Sequence, residues 1–193
     1  FKKQTTLSDG VHSSAIVNNA KIGSNCNIGQ NVIIGSNCTV SHNVIIEDDV
    51  VIGDNAYLHP NVTILQGCSI GDNVVISSGA VIGSEGFGNA RDKQGCWHTI
   101  AHLGNVVIGD NVTVGANTTI DRGTLEDTQV HNGVRLDNLI HIAHNVTIGQ
   151  DTAIAANTGI AGSTVLGKRC MIGGMVGIVG HLNICDDVIV NAK

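Results

Sequence analysis

Residues 130–149 read VHNGVRLDNLIHIAHNVTIG, with an apolar residue at every sixth position: Val130, Leu136, Ile142 and Ile148. Two residues before the later three stands a second apolar side chain, Val134, Ile140 and Val146. A spacing of two puts both on one face of a short strand. Apolar residues six apart hold no single face of an α-helix, so the alternative period is excluded. Gly, Asn or Asp usually follows the second apolar residue, and these residues tolerate the backbone angles of a tight corner. Each hexad is therefore a short strand plus a bend.

The rhythm extends in both directions from this stretch. Forward it runs through Ile154, Ile160, Leu166, Ile172, Ile178, Ile184 and Val190. Backward it passes Ile120, Val114 and Ile108, then resumes from Ile82 down to Ile16. Three hexads close a triangular coil of eighteen residues, and coils stacked about 4.8 Å apart pair in parallel ladders. The reading is all-β: one parallel β-helix from about residue 15 to 193, within a single domain spanning 1–193. The chain opens on Phe1 rather than Met, so it reads as a fragment.

Composition agrees. Aromatic residues are 2% of the chain while hydrophobic residues are 42%, so Ile, Val, Leu and Ala must fill the core in regular stacks. Net charge is −6 without a basic run, which disfavours nucleic acid as a partner. No stretch approaches the roughly 20 apolar residues of a membrane-spanning helix, and no signal peptide is recognisable. Of six cysteines, Cys26, Cys38, Cys68 and Cys170 occupy the small apolar position of the hexad. They are expected to be free core thiols in a reducing compartment.

Two interruptions break the rhythm. About twenty extra residues, 84–103, lie between Ile82 and Ile108, and four extra lie within 121–129. Insertions that preserve the repeat on both sides must loop outwards, and such loops on a rigid scaffold often carry function. The longer one holds the only tryptophan, Trp97, which is expected to pack against something.

Beyond Val130, residues eighteen apart lie above one another. His141 sits under Gly159 and Gly177, and His144 under Gly162 and Gly180. Glycine columns in a strand mark close approach by a ligand, so they describe a bare groove rising from two histidines. His181 projects into its upper part, about 10 Å along the axis from His144. Asp137 and Asn138 lie one hexad before His144, where a carboxylate able to reach the ring would orient it. Elsewhere, His12, His42, His59 and His131 read as ordinary solvated corner residues.

The segments IDRGTLEDTQVHNGVRLDNLIHIAHNVTIG (120–149), CMIGGMVGIVGHLNICDDV (170–188) and GSEGFGNARDKQGCWHTIAHLG (83–104) resemble the UDP-3-O-(3-hydroxyacyl)glucosamine N-acyltransferases of lipid A synthesis. The resemblance implies a left-handed β-helix, a homotrimer with sites between subunits, and a bacterial, cytoplasmic enzyme. It implies transfer of a 3-hydroxyacyl chain from the phosphopantetheine of acyl carrier protein to the 2-amino group of a UDP-linked acylglucosamine, with no resident cofactor or metal. By the same resemblance His144 is the general base, Asp137 its carboxylate partner, His181 a second site histidine and Gly162 the oxyanion donor. Asn138, His141 and Gly180 then line the substrate groove. Family members also carry an N-terminal uridine-binding domain and a C-terminal helical segment, so the resemblance implies a fragment lacking both, and Thr99, Ala101 and His102 stand where the family has Lys, Pro and Gln. Two alternatives compete. One is a zinc-dependent trimer like the γ-type carbonic anhydrases, with His141, His144 and His181 as ligands. The other is an acetyl-CoA-dependent sugar acetyltransferase or a non-catalytic scaffold.

Overall fold

The computed structural model describes residues 10–192. Among them are 28 strands, most of two residues, and no helix. Three parallel sheets of nine, nine and eight strands form the three faces of a left-handed β-helix, and each strand pairs with the one three places on, or five places on where the two strands of the long insertion intervene. The first face begins at Ile16–Val17, the second at Lys21–Ile22 and the third at Asn27–Ile28.

The ladder confirms the period and both interruptions. Ile142 pairs with Ile160 and Ile160 with Ile178, eighteen residues apart. Ile70 pairs with Ile108 across the long insertion and Ile108 with Val130 across the short one. The first coil differs from the reading. Val17, not Ile16, pairs with Ile34, and Ile16 is exposed. Only Asn18 and Asn19 separate Val17 from Ala20, so this corner is one residue short and the inward position shifts by one.

Inside the prism Ile28, Ile46, Ile64, Ile82, Ile120 and Ile142 are completely or almost completely buried. The small position is a hydrogen-bonding site as well as a packing site. Thr152, Thr158 and Thr164 donate to carbonyls fifteen residues on at 2.9 Å. Cys38 and Cys170 reach equivalent carbonyls at 3.1 and 3.2 Å. All six cysteines are free; the four at the small position are buried, whereas Cys96 and Cys185 are exposed. Burial pushes the Cys68 thiol up to about 11, so it is no nucleophile at neutral pH.

The corners divide their work between two residue types. Their last residue sits in the left-handed region, as at Asn25 (φ 58°), Asn43 (φ 58°) and Asn145 (φ 59°). The glycine directly after the inward residue serves close approach instead: a Cβ on Gly23 would lie 2.8 Å from the His42 backbone nitrogen.

Candidate active site

The long insertion leaves the third face after Val81–Ser84 and forms an antiparallel hairpin, Asn89–Arg91 against Trp97–Thr99. Trp97 does not pack on the prism. It is exposed, with the Arg91 guanidinium 5.3 Å from its ring centre. The residue that the loop buries is His102, which is 4% exposed. Its ring meets the His144 ring edge-on, centres 5.3 Å apart. The two glycines of the Gly86–Phe87–Gly88 turn make this possible. A Cβ on Gly88 would lie 2.5 Å from His102 Cε1, and one on Gly86 would lie 2.9 Å from His102 Nε2 and 3.0 Å from His144 Cβ. Neither ring nitrogen of His102 has a hydrogen-bond partner among the described residues.

His144 stands at the corner that follows the third-face strand His141–Ile142. Its ring lies against Gly162 one coil on. A Cβ there would be 2.7 Å from both Cε1 and Nε2, so any side chain at this position would push the ring away. Nδ1 lies 3.1 Å from Asn145 Oδ1.

Corners of this coil fall into two kinds. At several of them the N–H two residues after the inward position is capped by an oxygen one coil on: Gln30 by Asp48, Ser36 by Asp54, Ala116 by Asn138 and Lys168 by Asp186, all at 2.6–2.8 Å. Gly162, like Gln150, Ala156 and Gly174, belongs to the uncapped kind. One coil above Gly162 is Gly180, which has no side chain, and the Gly162 N–H has no partner among the described residues. The double glycine column thus clears space and frees a backbone donor beside an imidazole.

Asp121 joins this group. Ile120 pairs with Ile142, so Asp121 lies one coil below Ala143. It is 6% exposed, and its Oδ2 is 3.7 Å from His141 Nε2. Burial raises its carboxyl above the ordinary range, against the opposing pull of His141, His102 and His144. His141 Nδ1 also lies 2.9 Å from Thr119 Oγ1. A buried acid among imidazoles can balance the positive charge that forms when one of them takes a proton.

The other expected site residues lie apart. Asp137 follows the second-face strand Arg135–Leu136 and accepts from the Asn138 backbone at 2.8 Å. It is at the far end of the His141–Ile142 side from His144, about 15–20 Å away at strand rise. There it lines an open, mostly apolar groove of about 510 Å³ with Ala155, Met171 and Gly173. Asn138 Oδ1 is used in capping Ala116, at 2.7 Å. His181 is exposed and donates its backbone N–H to the Gly162 carbonyl at 3.1 Å. The three imidazoles weighed for zinc do not converge within one chain. Asp121 and His102 are not among the site residues that the sequence predicts. The first becomes visible only when the coil is counted across the four-residue insertion. The second sits in a loop with no repeat to place it.

The chain resembles known proteins along most of its length. The family described as bacterial transferase hexapeptide (six repeats) matches residues 49–84 and 127–162, and that described as hexapeptide repeat of succinyl-transferase matches 19–58 and 105–125. UDP-3-O-acylglucosamine N-acyltransferases of Vesicomyosocius okutanii and Ruthia magnifica are 66% identical over 110 and 109 residues, 57% and 56% of this chain. The match spans 33% of each curated relative, about a third of its length. Among solved structures, LpxA from Acinetobacter baumannii is 26% identical with a TM-score of 0.64, covering 94% of this chain and 64% of that one. The UDP-N-acetylglucosamine O-acyltransferase of Moraxella catarrhalis is 26% identical with a TM-score of 0.58, covering 95% and 65%.

Proposed function

We propose that this chain, which belongs to the bacterial hexapeptide-repeat transferases, is the acyl-transfer portion of a UDP-3-O-acylglucosamine N-acyltransferase. One observation carries the reading: an imidazole held against a glycine whose N–H is uncapped, at the foot of a groove without side chains. Acyl transfer from a thioester to an amine requires a base for the amine proton and a donor for the carbonyl oxygen.

The 2-amino group of the sugar attacks the thioester carbonyl carbon, forming the C–N bond and a tetrahedral oxyanion. The Gly162 N–H donates to that oxygen. His144 Nε2 accepts the amine proton. Collapse restores the carbonyl and breaks the C–S bond, and the proton on His144 passes to the departing thiolate. Asp121 offsets the transient imidazolium. The glycine columns give a flexible acyl-phosphopantetheine chain room to lie flat, which suits acyl carrier protein as the donor, and the steps above call on no resident cofactor or metal.

Asp137 cannot orient His144 of its own chain from the opposite end of the strand. A role for it requires a second copy, whose Asp137 groove would face the His144 groove in a trimer. His141 and Gly180 line the His144 groove and His181 its margin, while Asn138 stands beside Asp137 and would reach substrate only across such an interface. The bacterial relatives support a bacterial enzyme, which we place in the cytoplasm, where acyl carrier protein would supply the donor. His144→Ala in the full-length protein should lower kcat by about 10²–10⁴-fold with the thermal midpoint unchanged. Turnover close to wild type in that variant would refute the assignment of the base.

A further inference from the structure

Building on the reading of His144 as base, we infer that Asn145 is a positioning residue that fixes the tautomer of His144 and leaves Nε2 free to accept a proton. Two backbone groups settle the orientation of the Asn145 side-chain amide. Nδ2 lies 2.9 Å from the Glu126 carbonyl, which can only accept. Oδ1 lies 3.0 Å from the Thr124 backbone nitrogen, whose N–H can only donate. The atom 3.1 Å from His144 Nδ1 is therefore an acceptor, and Nδ1 must carry the hydrogen. The lone pair of the neutral ring is then on Nε2, the atom lying against Gly162.

The four-residue insertion supplies this hold. Thr124 and Glu126 come from it, and Thr128 opens the strand that follows; Thr124 Oγ1 donates to Asn145 Oδ1 at 2.9 Å, and Thr128 Oγ1 accepts from the Asn145 backbone N–H at 2.9 Å. Asn145 is in the left-handed region, φ 59°, where asparagine is readily accommodated. The corner therefore asks for Asn on backbone grounds, and the insertion turns that amide into an anchor for the base. The groups facing the ring from the packed elements are His102, Asp121 and His141, and none of them is bonded to Nδ1.

The test compares Asn145→Gly with Asn145→Asp in the full-length protein. Glycine keeps the left-handed backbone and removes the amide, while aspartate keeps the acceptor. Neutron diffraction reads the deuterium on the His144 ring, and steady-state kinetics read kcat and KM separately. The expected result is deuterium on Nδ1 in the wild type and in Asn145→Asp. In Asn145→Gly, Nδ1 loses its sole occupancy and kcat falls about 10–100-fold with KM within about threefold. Asn145→Asp should recover part of the lost kcat, because its second oxygen meets the Glu126 carbonyl where the amide donates in the wild type. An Nδ1-bound deuterium that persists in Asn145→Gly, or sits on Nε2 in the wild type, overturns the inference. A tautomer change in Asn145→Gly without any change in kcat upholds Asn145's hold on the ring and instead sinks His144 as the base.

Discussion

Gly162→Ala tests the geometry at its tightest point. The added Cβ would stand 2.7 Å from His144 Cε1 and Nε2, whereas ordinary contact begins at 3.4 Å. The ring must therefore retreat by roughly 0.7 Å, and Asn145 holds its other nitrogen. A displacement of about 1 Å at a reacting group can cost around 10²-fold in rate. We expect kcat for acyl transfer to fall about 30–100-fold, with a smaller change in KM. The backbone imposes no further penalty, because Gly162 is not among the residues with positive φ. Overpacking at this partly open corner should cost about 1 kcal/mol at most. The assay is steady-state transfer from a 3-hydroxyacyl thioester of acyl carrier protein to UDP-3-O-acylglucosamine, with thermal unfolding measured on the same preparations. A variant with kcat within threefold of wild type would show that the ring does not work from its position over Gly162.

Two further outcomes follow from the buried groups below His144. Burial raises the folded pKa of Asp121, so the folded state holds its proton more tightly than the unfolded chain, and this contribution to stability is present at low pH and lost as pH rises through the folded pKa. Asp121→Asn should therefore raise the midpoint of chemical denaturation at pH 7 relative to wild type. The advantage should shrink as pH falls below the ordinary carboxylate range, and an advantage that grew on acidification would contradict the assignment. His102→Leu removes two buried nitrogens without partners, so unfolding should show stability unchanged or raised by about 1 kcal/mol. A loss of more than about 2 kcal/mol would mean that the imidazole is satisfied by something the fold supplies.

The repeat was legible because the physics behind it is local and periodic. Every inward position from Ile22 onward must pack against the coil above and below, so each shows in the sequence. The first strand was misread because a corner one residue short leaves two adjacent β-branched residues, Ile16 and Val17, that pattern alone cannot rank. Stacks above Val130 could be read by counting, which is why His141 and His144 were placed under their glycines. The base's neighbours were hidden for a different reason. Asn145 looks like any corner asparagine, and only the folded path of 121–129 shows that its amide bonds outside the repeat. Asp137 is close to His144 in sequence and distant in one chain, because the strand between them runs the full side of the prism.

The repeat also explains why a site arises where it does. A β-helix corner exposes backbone N–H groups, and this chain caps many of them with the Asp or Asn of the next coil. Such caps satisfy donors and fill the space above each corner, which makes an ordinary face inert. Replacing the cap by glycine at Gly180 removes both effects together. The donor below becomes free, and the surface becomes flat enough for a chain-like ligand. Two insertions then add what a repeat cannot, a second imidazole under the base and an anchor for its tautomer. Restoring the cap by Gly180→Asp would set a Cβ 2.8 Å from the Gly162 carbonyl oxygen, so the corner must open slightly before the carboxylate can occupy the Gly162 N–H on which the oxyanion depends. The thermal midpoint should fall modestly and acyl transfer far more, and transfer at the wild-type rate would show that this N–H is not the oxyanion donor.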